Sequence, residues 1–394
     1  MKIALVSGFY SEGMGYAENC LPRALASLGH EVHVITSDMN VYGNTPDYSK
    51  TYEAFLGPAR VQPGVHRSDG YTVHRLMSTL LNGYVRMHGL GAKVRELRPE
   101  IVHSIEIASL QTFSLAAMQP LANFRLFTET HQHMSVVKPF LKTKGHLLKK
   151  LVYGATRTLP TKAASTRVQK CYAISPDCAE VAVRFYGVPP QKIKLQSLGA
   201  DTSLFRPVET EADISLRRAM RSELGIADDA IVCVYTGRFS VDKNPLLLAQ
   251  AIERLAARDG RFVGLFIGDG LQRTQIEACR NTIIRPFMTH RRLSEFYRMA
   301  DIAVWPTQES MSMLDAAASG LPLVVSNKMG ERERVEGNGD VFEEGSLEDL
   351  VAVLERMADA EKRRALGQAG RRKMVAKFSW LGVARSMEAD FMAH

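Results

Sequence analysis

Four short stretches combine residue types and spacings that could do chemistry. In Gly237-Arg238-Phe239-Ser240-Val241-Asp242-Lys243-Asn244-Pro245, an arginine and a lysine straddle the end of an apolar run and the start of a helical segment. There a guanidinium fork and an ammonium point charge could converge on a diphosphate, or remain two surface cations. In Glu309-Ser310-Met311-Ser312-Met313-Leu314-Asp315 an acid precedes a small-residue helix that should start near Met313. Free N–H groups of such a first turn can meet a phosphate, while both carboxylates can accept bonds from sugar hydroxyls. The following Ala316-Ala317-Ala318 needs only the close packing of a neighbouring element. Gly13-Met14-Gly15 would let backbone N–H groups approach an anion, or simply form a turn. As a dinucleotide fingerprint it fails at Glu18, and Gly268-Asp269-Gly270 fails likewise at Arg273. Finally, Thr128-Glu129-Thr130-His131-Gln132-His133 sets two histidines after an apolar run without further ligands at a metal-binding spacing. Hydrogen bonding to a polar substrate, or proton transfer, suits His131 better. The chain has no GxSxG elbow, HExxH or Walker loop, which removes several hydrolase and ATPase classes.

These loops need elements to hold them. Lys2–Gly8 reads as a buried strand, Glu18–Leu28 as a helix ended by Gly29, and Glu31–Thr36 as the next strand, which makes a βαβ unit and a parallel sheet. The alternation returns near Ile101, Leu126 and Cys171. A second series runs through Ala230–Gly237, Phe262–Gly268, Ile302–Trp305 and Leu321–Val325, and Ser346 looks like a helix N-cap. Ser197–Asp201 with Arg206-Pro207 suits a linker between the series. The expected fold is therefore α/β, with two Rossmann-like doubly wound domains facing a cleft and ligands beyond the carboxyl ends of the strands.

Composition agrees with such a chain. Its 394 residues suit two domains, and 45% apolar with 23% charged residues is globular. No apolar run approaches the ~20 residues of a membrane span, and the opening run is short for a signal sequence. The five cysteines form no CxxC pair, so a cytoplasmic enzyme without a structural metal is expected. The net charge of +8 is uneven: residues 1–200 hold 23 basic and 13 acidic side chains, and no acid occurs between Glu129 and Asp177. That gap contains Lys142, Lys144, Lys149 and Lys150 beside an apolar stripe of Leu147, Leu148, Leu151, Val152 and Ala155. An anionic acceptor or membrane surface would fit, as would a solvated basic face over core residues.

Taken together, the ordered loops resemble the retaining GT-B glycosyltransferases of family GT4. The resemblance covers nearly the whole chain: the glycine loop leading to Arg23–Val32, Leu198-Gly199-Ala200-Asp201 to Pro207, Gly237-Arg238 to Pro245, Glu309 to Pro322, and Phe378-Ser379-Trp380. It implies an N-terminal acceptor domain over 1–204, a donor domain over 205–376 and a helix over 377–394 returning to the first. It also implies that Arg238 and Lys243 stabilise a departing nucleoside diphosphate in place of a metal, and that Glu309 holds donor-sugar hydroxyls. Backbone N–H groups at Met313 and Leu314 would meet the phosphates, Asp315 the ribose, and backbone groups of Phe287 and Met288 the nucleobase. Gly13 and Gly15 would line the donor site, His131 would contact sugar near the reaction centre, and the four lysines would face acceptor or membrane. The implied reaction is metal-independent, retaining transfer of a hexose-type sugar from a UDP- or GDP-sugar to a lipid-linked or phosphorylated acceptor. It needs no cofactor and no nucleic acid, and it suits the cytoplasmic face of a membrane. A sugar-nucleotide epimerase on the same fold and a non-catalytic anion-binding module are the alternatives. The chain departs from the family pattern in the shortened spacing from Glu309 to Asp315, in Glu12 before the glycine loop, in Pro286 and in Ile105.

Overall fold

A computed structural model describes residues 1–81, 83–134, 137, 152–307 and 310–393. The chain divides into two compact units, Met1–Leu198 with Val383–His394, and Gly199–Gly382. These joints differ by a few residues from those read off the sequence.

The first unit carries an eight-stranded sheet. Its strands are β1 (Lys2–Ser7), β2 (Glu31–Ser37), β3 (Gly64–Ser68), β4 (Tyr71–Leu76), β7 (Ile101–Ser104), β8 (Arg125–Thr130), β9 (Val168–Ala173) and β10 (Ile193–Leu195). Their order is β10-β9-β8-β7-β1-β2-β4-β3, and only the β3–β4 pair is antiparallel. A separate hairpin pairs β5 (Ser78–Leu81) with β6 (Tyr84–Met87). The helix expected over Glu18–Leu28 is Ala17–Ser27. β1 reads as a continuous apolar run because a parallel strand is covered on both faces, and Ile3 to Val6 are fully buried.

The closing helix, Trp380–Ala393, starts in the second unit and ends in the first. In the first unit its Phe391 ring meets Phe127 at 4.7 Å. Its Asp390 carboxylate accepts bonds from Lys170 Nζ (2.6 Å), Lys194 Nζ (2.7 Å) and the Tyr172 hydroxyl (3.1 Å).

The second unit is a six-stranded parallel sheet of β11 (Ile231–Thr236), β12 (Phe262–Ile267), β13 (Thr282–Arg285), β14 (Ile302–Trp305), β15 (Leu323–Ser326) and β16 (Gly339–Phe342). Their order, β13-β12-β11-β14-β15-β16, is the 3-2-1-4-5-6 winding of a dinucleotide-binding sheet. Ser346 caps helix Leu347–Arg356 by accepting from Asp349 N at 3.2 Å, as its sequence suggests. Arg221, 2% exposed, ties helix Glu211–Glu223 to the sheet. It donates to the carbonyls of Asp228, Ala230 and Met299 and to Asp301. The stretch read as a linker is packed into this unit. Ala200 N donates to Phe378 O (2.7 Å), and Arg371 Nη1 holds the carbonyls of Thr202 (2.9 Å) and Phe205 (2.8 Å).

The alanine run does serve close packing. Helix Ser312–Ala318 and the turn after it lie against helix Ala360–Lys377, where a Cβ on Gly367 would fall 1.9 Å from Gly320 O.

Candidate active site

In a doubly wound sheet, ligands bind beyond the carboxyl ends of the strands where the winding reverses. In the second unit that reversal falls between β11 and β14, so the loops after Thr236 and Trp305 are the ones to inspect. The first is stitched to the end of β12. Gly237 N donates to Ile267 O (3.0 Å), Phe239 N to Asp269 O (2.8 Å), and Gln272 N to Phe239 O (2.9 Å). The glycine pair that fails as a dinucleotide fingerprint is required by this approach: a Cβ on Gly268 would lie 1.9 Å from Gly237 O, and one on Gly270 2.8 Å from Phe239 O. Both have positive φ, 151° and 148°.

The stitched loop presents Arg238, exposed, and Lys243, half-buried. It ends at Asn244, whose left-handed φ of 48° turns the chain into helix Pro245–Ala256. The Asp242 carboxyl is held below its ordinary range by the Ser240 hydroxyl and then by the Arg238 and Lys243 cations. Thr307, just after β14, donates to Asp242 O at 2.6 Å. The two cations singled out in the sequence thus share one loop at the reversal point.

The second loop departs from expectation. Glu309 lies outside the described residues. Met313 N and Leu314 N donate to the carbonyls of Ser310 (3.1 Å) and Met311 (3.0 Å). Those N–H groups, expected to meet phosphates, are engaged inside the turn that opens helix Ser312–Ala318. Asp315 is only 7% exposed and takes a bond from His290 Nε2 at 3.0 Å. Burial raises the Asp315 carboxyl, and the imidazole of His290 opposes that. The ring of Phe205 lies 4.5 Å from that of His290. A ribose role for Asp315 must therefore work from a carboxylate already held from inside. His290 was not anticipated, since nothing in its local sequence points across 25 residues to Asp315. Phe287 and Met288 follow β13 half-buried, with Met288 against the core.

In the first unit the winding reverses between β1 and β7. Gly13 and Gly15, each at φ 72°, shape the loop after β1, and Tyr16 N starts the next helix by donating to Asn19 Oδ1 at 3.2 Å. Glu12 is explained locally: its carboxylate receives His66 Nε2 (2.7 Å), Tyr10 OH (3.2 Å) and Ser68 Oγ (3.3 Å).

His131 follows β8 with 32% of its side chain exposed. Its Nε2 lies 2.9 Å from Glu129 Oε1, and the other oxygen of Glu129 lies 3.2 Å from His103 Nε2. Burial would push the His131 imidazole down, but Glu129 outweighs it and, with Glu106 and Glu18, lifts it to about 9. Burial would raise the Glu129 carboxyl, yet His131 and His103 hold it far below the usual range. Glu18 is pushed up to about 7 by burial, and Glu106 rises for the same reason. His133 is turned elsewhere, 3.2 Å from Asp177 Oδ2. Lys142, Lys144, Lys149 and Lys150 lie outside the described residues, as do Leu147, Leu148 and Leu151 of the apolar stripe. Of that stripe Val152 and Ala155 are exposed. Among the described residues, no helix is long and apolar enough to cross a membrane.

Comparison with known proteins gives this geometry a context. Residues 21–204 match the family model described as Glycosyltransferase Family 4, and residues 230–360 that described as Glycosyl transferases group 1. A D-inositol 3-phosphate glycosyltransferase of Geodermatophilus obscurus is 30% identical over 258 residues, covering 60% of this chain and 55% of the relative. The chain spans about half the length of the curated relatives it matches. Among solved structures, sucrose-phosphate synthase of Thermosynechococcus elongatus superposes with a TM-score of 0.70 at 20% identity, covering 100% of this chain and 98% of that one. Anabaena HepE, solved in complex with UDP, gives 0.69 at 15% identity with both chains fully covered. The fold is therefore the α/β, two-domain GT-B type.

Proposed function

The chain belongs to the group 1 glycosyltransferases, family 4, and from that premise we propose that it moves a hexose-type sugar from a nucleoside diphosphate sugar to a hydroxyl acceptor with retained configuration. The observation that carries this reading is the Arg238–Lys243 loop, fixed to the end of β12 at the winding reversal of the second unit. A glycosyl donor breaks its anomeric C–O bond as negative charge builds on the leaving diphosphate. A guanidinium and an ammonium held in advance at that point lower the barrier without a metal. The departing phosphate oxygen then accepts the acceptor's proton, so no separate base is needed.

Glu309 and His131 are read as sugar contacts, Gly13 and Gly15 as the turn that admits the donor, and Phe287 and Met288 as the nucleobase edge. The solved relative holding UDP favours a UDP-sugar. The inositol-phosphate relatives favour a phosphorylated acceptor, which the acid-free basic stretch of the first unit would attract.

The test is a thermal-shift titration with UDP, GDP and ADP, with and without EDTA, followed by a transfer assay on Arg238→Ala/Lys243→Ala. One nucleotide should raise the melting temperature by several degrees regardless of EDTA, and the double variant should lose both that shift and transfer. Unchanged turnover in the double variant would remove the reading.

A further inference from the structure

The buried carboxylate between His103 and His131 has no part in the reading above, yet its surroundings are specific. Side chains of a strand alternate between faces, so Phe127, Glu129 and His131 point to one side of β8 and its extension. Parallel neighbours in register share that side, and His103 on β7 is opposite Phe127, while Tyr172 on β9 is opposite Glu129. Register alone therefore brings His103, Glu129 and His131 together, although they are spread over 29 residues. Glu129 is 3% exposed and His103 fully buried. Each oxygen of Glu129 meets one imidazole, at 2.9 and 3.2 Å. A buried carboxylate is stable as an anion only where such donors take its lone pairs.

We propose that Glu129 is a positioning residue: anchored by His103, it takes the Nε2–H of His131 and keeps that ring a doubly protonated donor, with Nδ1–H left for a substrate oxygen. This rests on the transferase reading and refines the role of His131 within it. Because the leaving phosphate takes the acceptor's proton in that reaction, His131 is not required as a base. A cationic donor beside the sugar or its phosphate serves instead.

The groups facing this centre favour the charged ring. Glu106, from the loop after β7, accepts from His131 N at 3.3 Å and from the Thr130 hydroxyl at 3.3 Å. Glu18, from the helix after the glycine loop, adds a further acid. From β9, Tyr172 on the same side and Cys171 on the opposite side are neutral groups whose ionisation burial suppresses. His103 supplies the second donor to Glu129, and among the described residues its buried Nδ1 has no hydrogen-bond partner. That arrangement places the His103 Nε2–H toward Glu129.

Long-range ¹H–¹⁵N correlation of the histidine rings in the full chain, without substrate, reads the proposal directly. The His131 signals, identified by their loss in His131→Asn, should show both ring nitrogens protonated at about pH 8, where an ordinary histidine is neutral. Neutral His131 at that pH overturns the proposal, whatever the reaction proves to be. In Glu129→Gln the ring should titrate about two units lower, because the carboxylate that favours its charged form is gone. The alkaline limb of kcat/KM should move with it, so that activity falls roughly tenfold at pH 8 and far less at pH 6. A loss of activity equal at both pH values would mean that Glu129 is merely structural and would also overturn the proposal. Failure of the wild type to transfer sugar from any nucleotide donor would refute the functional reading alone, since the ring signals are read without it.

Discussion

Replacing Gly268 by alanine tests whether the Arg238 loop owes its position to the close approach of two backbones. The added Cβ would sit 1.9 Å from Gly237 O, whereas real contacts of this kind stay at 3.0 Å or more, so the loop must retreat by at least 1.1 Å. Overpacking of this size costs about 1–3 kcal/mol. Holding alanine at a φ of 151° adds about 1–3 kcal/mol of backbone strain. Together that is roughly 4 kcal/mol, which for a unit of this size lowers the melting temperature by on the order of 10 °C. The displacement also strains the Gly237–Ile267 and Phe239–Asp269 hydrogen bonds and moves Arg238. A shift of about 1 Å in a positioned group can reduce turnover by ~10²-fold. Calorimetry of Gly268→Ala beside Gly260→Ala gives the comparison, because nothing lies within 4 Å of a Cβ at Gly260. The expected result is a large drop in stability and in nucleotide affinity for the first and almost none for the second. If Gly268→Ala melts within a degree or two of wild type and binds nucleotide equally well, the account of this loop is wrong.

Two further perturbations bear on the scaffold. Arg221→Met leaves the carbonyls of Met299, Asp228 and Ala230 without their donor inside the second unit. It should cost about 3–5 kcal/mol in urea unfolding, and a loss under 1 kcal/mol would contradict the bonding described. Asp390 has its folded-state pKa depressed, because Lys170 and Lys194 outweigh the effect of burial. Its stabilisation is therefore present above the unfolded value near 4 and disappears as pH falls through the lower folded value. Asp390→Asn should lower the urea midpoint at pH 7 and make little difference near pH 2; a deficit that persists undiminished in acid would refute the ion-pair account.

The sheets were largely legible from the sequence because parallel strands covered on both faces become unbroken apolar runs, as in Ile231–Thr236 and Phe262–Ile267. β3 to β6 were not. The β3 sequence GVHRS is almost wholly exposed, and β5, STLL, leaves three of four residues in solvent, so neither shows the alternation that marks a strand. Among site residues, the Arg238 and Lys243 loop could be placed from its position between an apolar run and a proline-started helix. The pairings His290–Asp315 and His103–Glu129–His131 could not, because they depend on which strands lie side by side and in what register. The engagement of Met313 N and Leu314 N was equally hidden, since one turn's internal hydrogen bonds depend on its backbone angles rather than on residue type.

The placement of Asp390 and Phe391 in the first unit has a consequence for how this polypeptide acquires its shape during translation. The second unit is one uninterrupted segment, Gly199–Gly382, whereas the first needs residues synthesised almost two hundred positions after the rest of it. A ribosome delivers the chain from its N-terminus, so Lys170, Lys194 and Tyr172 emerge long before the carboxylate that accepts their hydrogen bonds. The nascent first unit must wait, with its basic edge uncovered, until the second has been made. Its completion is thus a late event of biosynthesis, and a chain that stalls before residue 383 would carry an unfinished first unit behind a second unit whose sequence is complete.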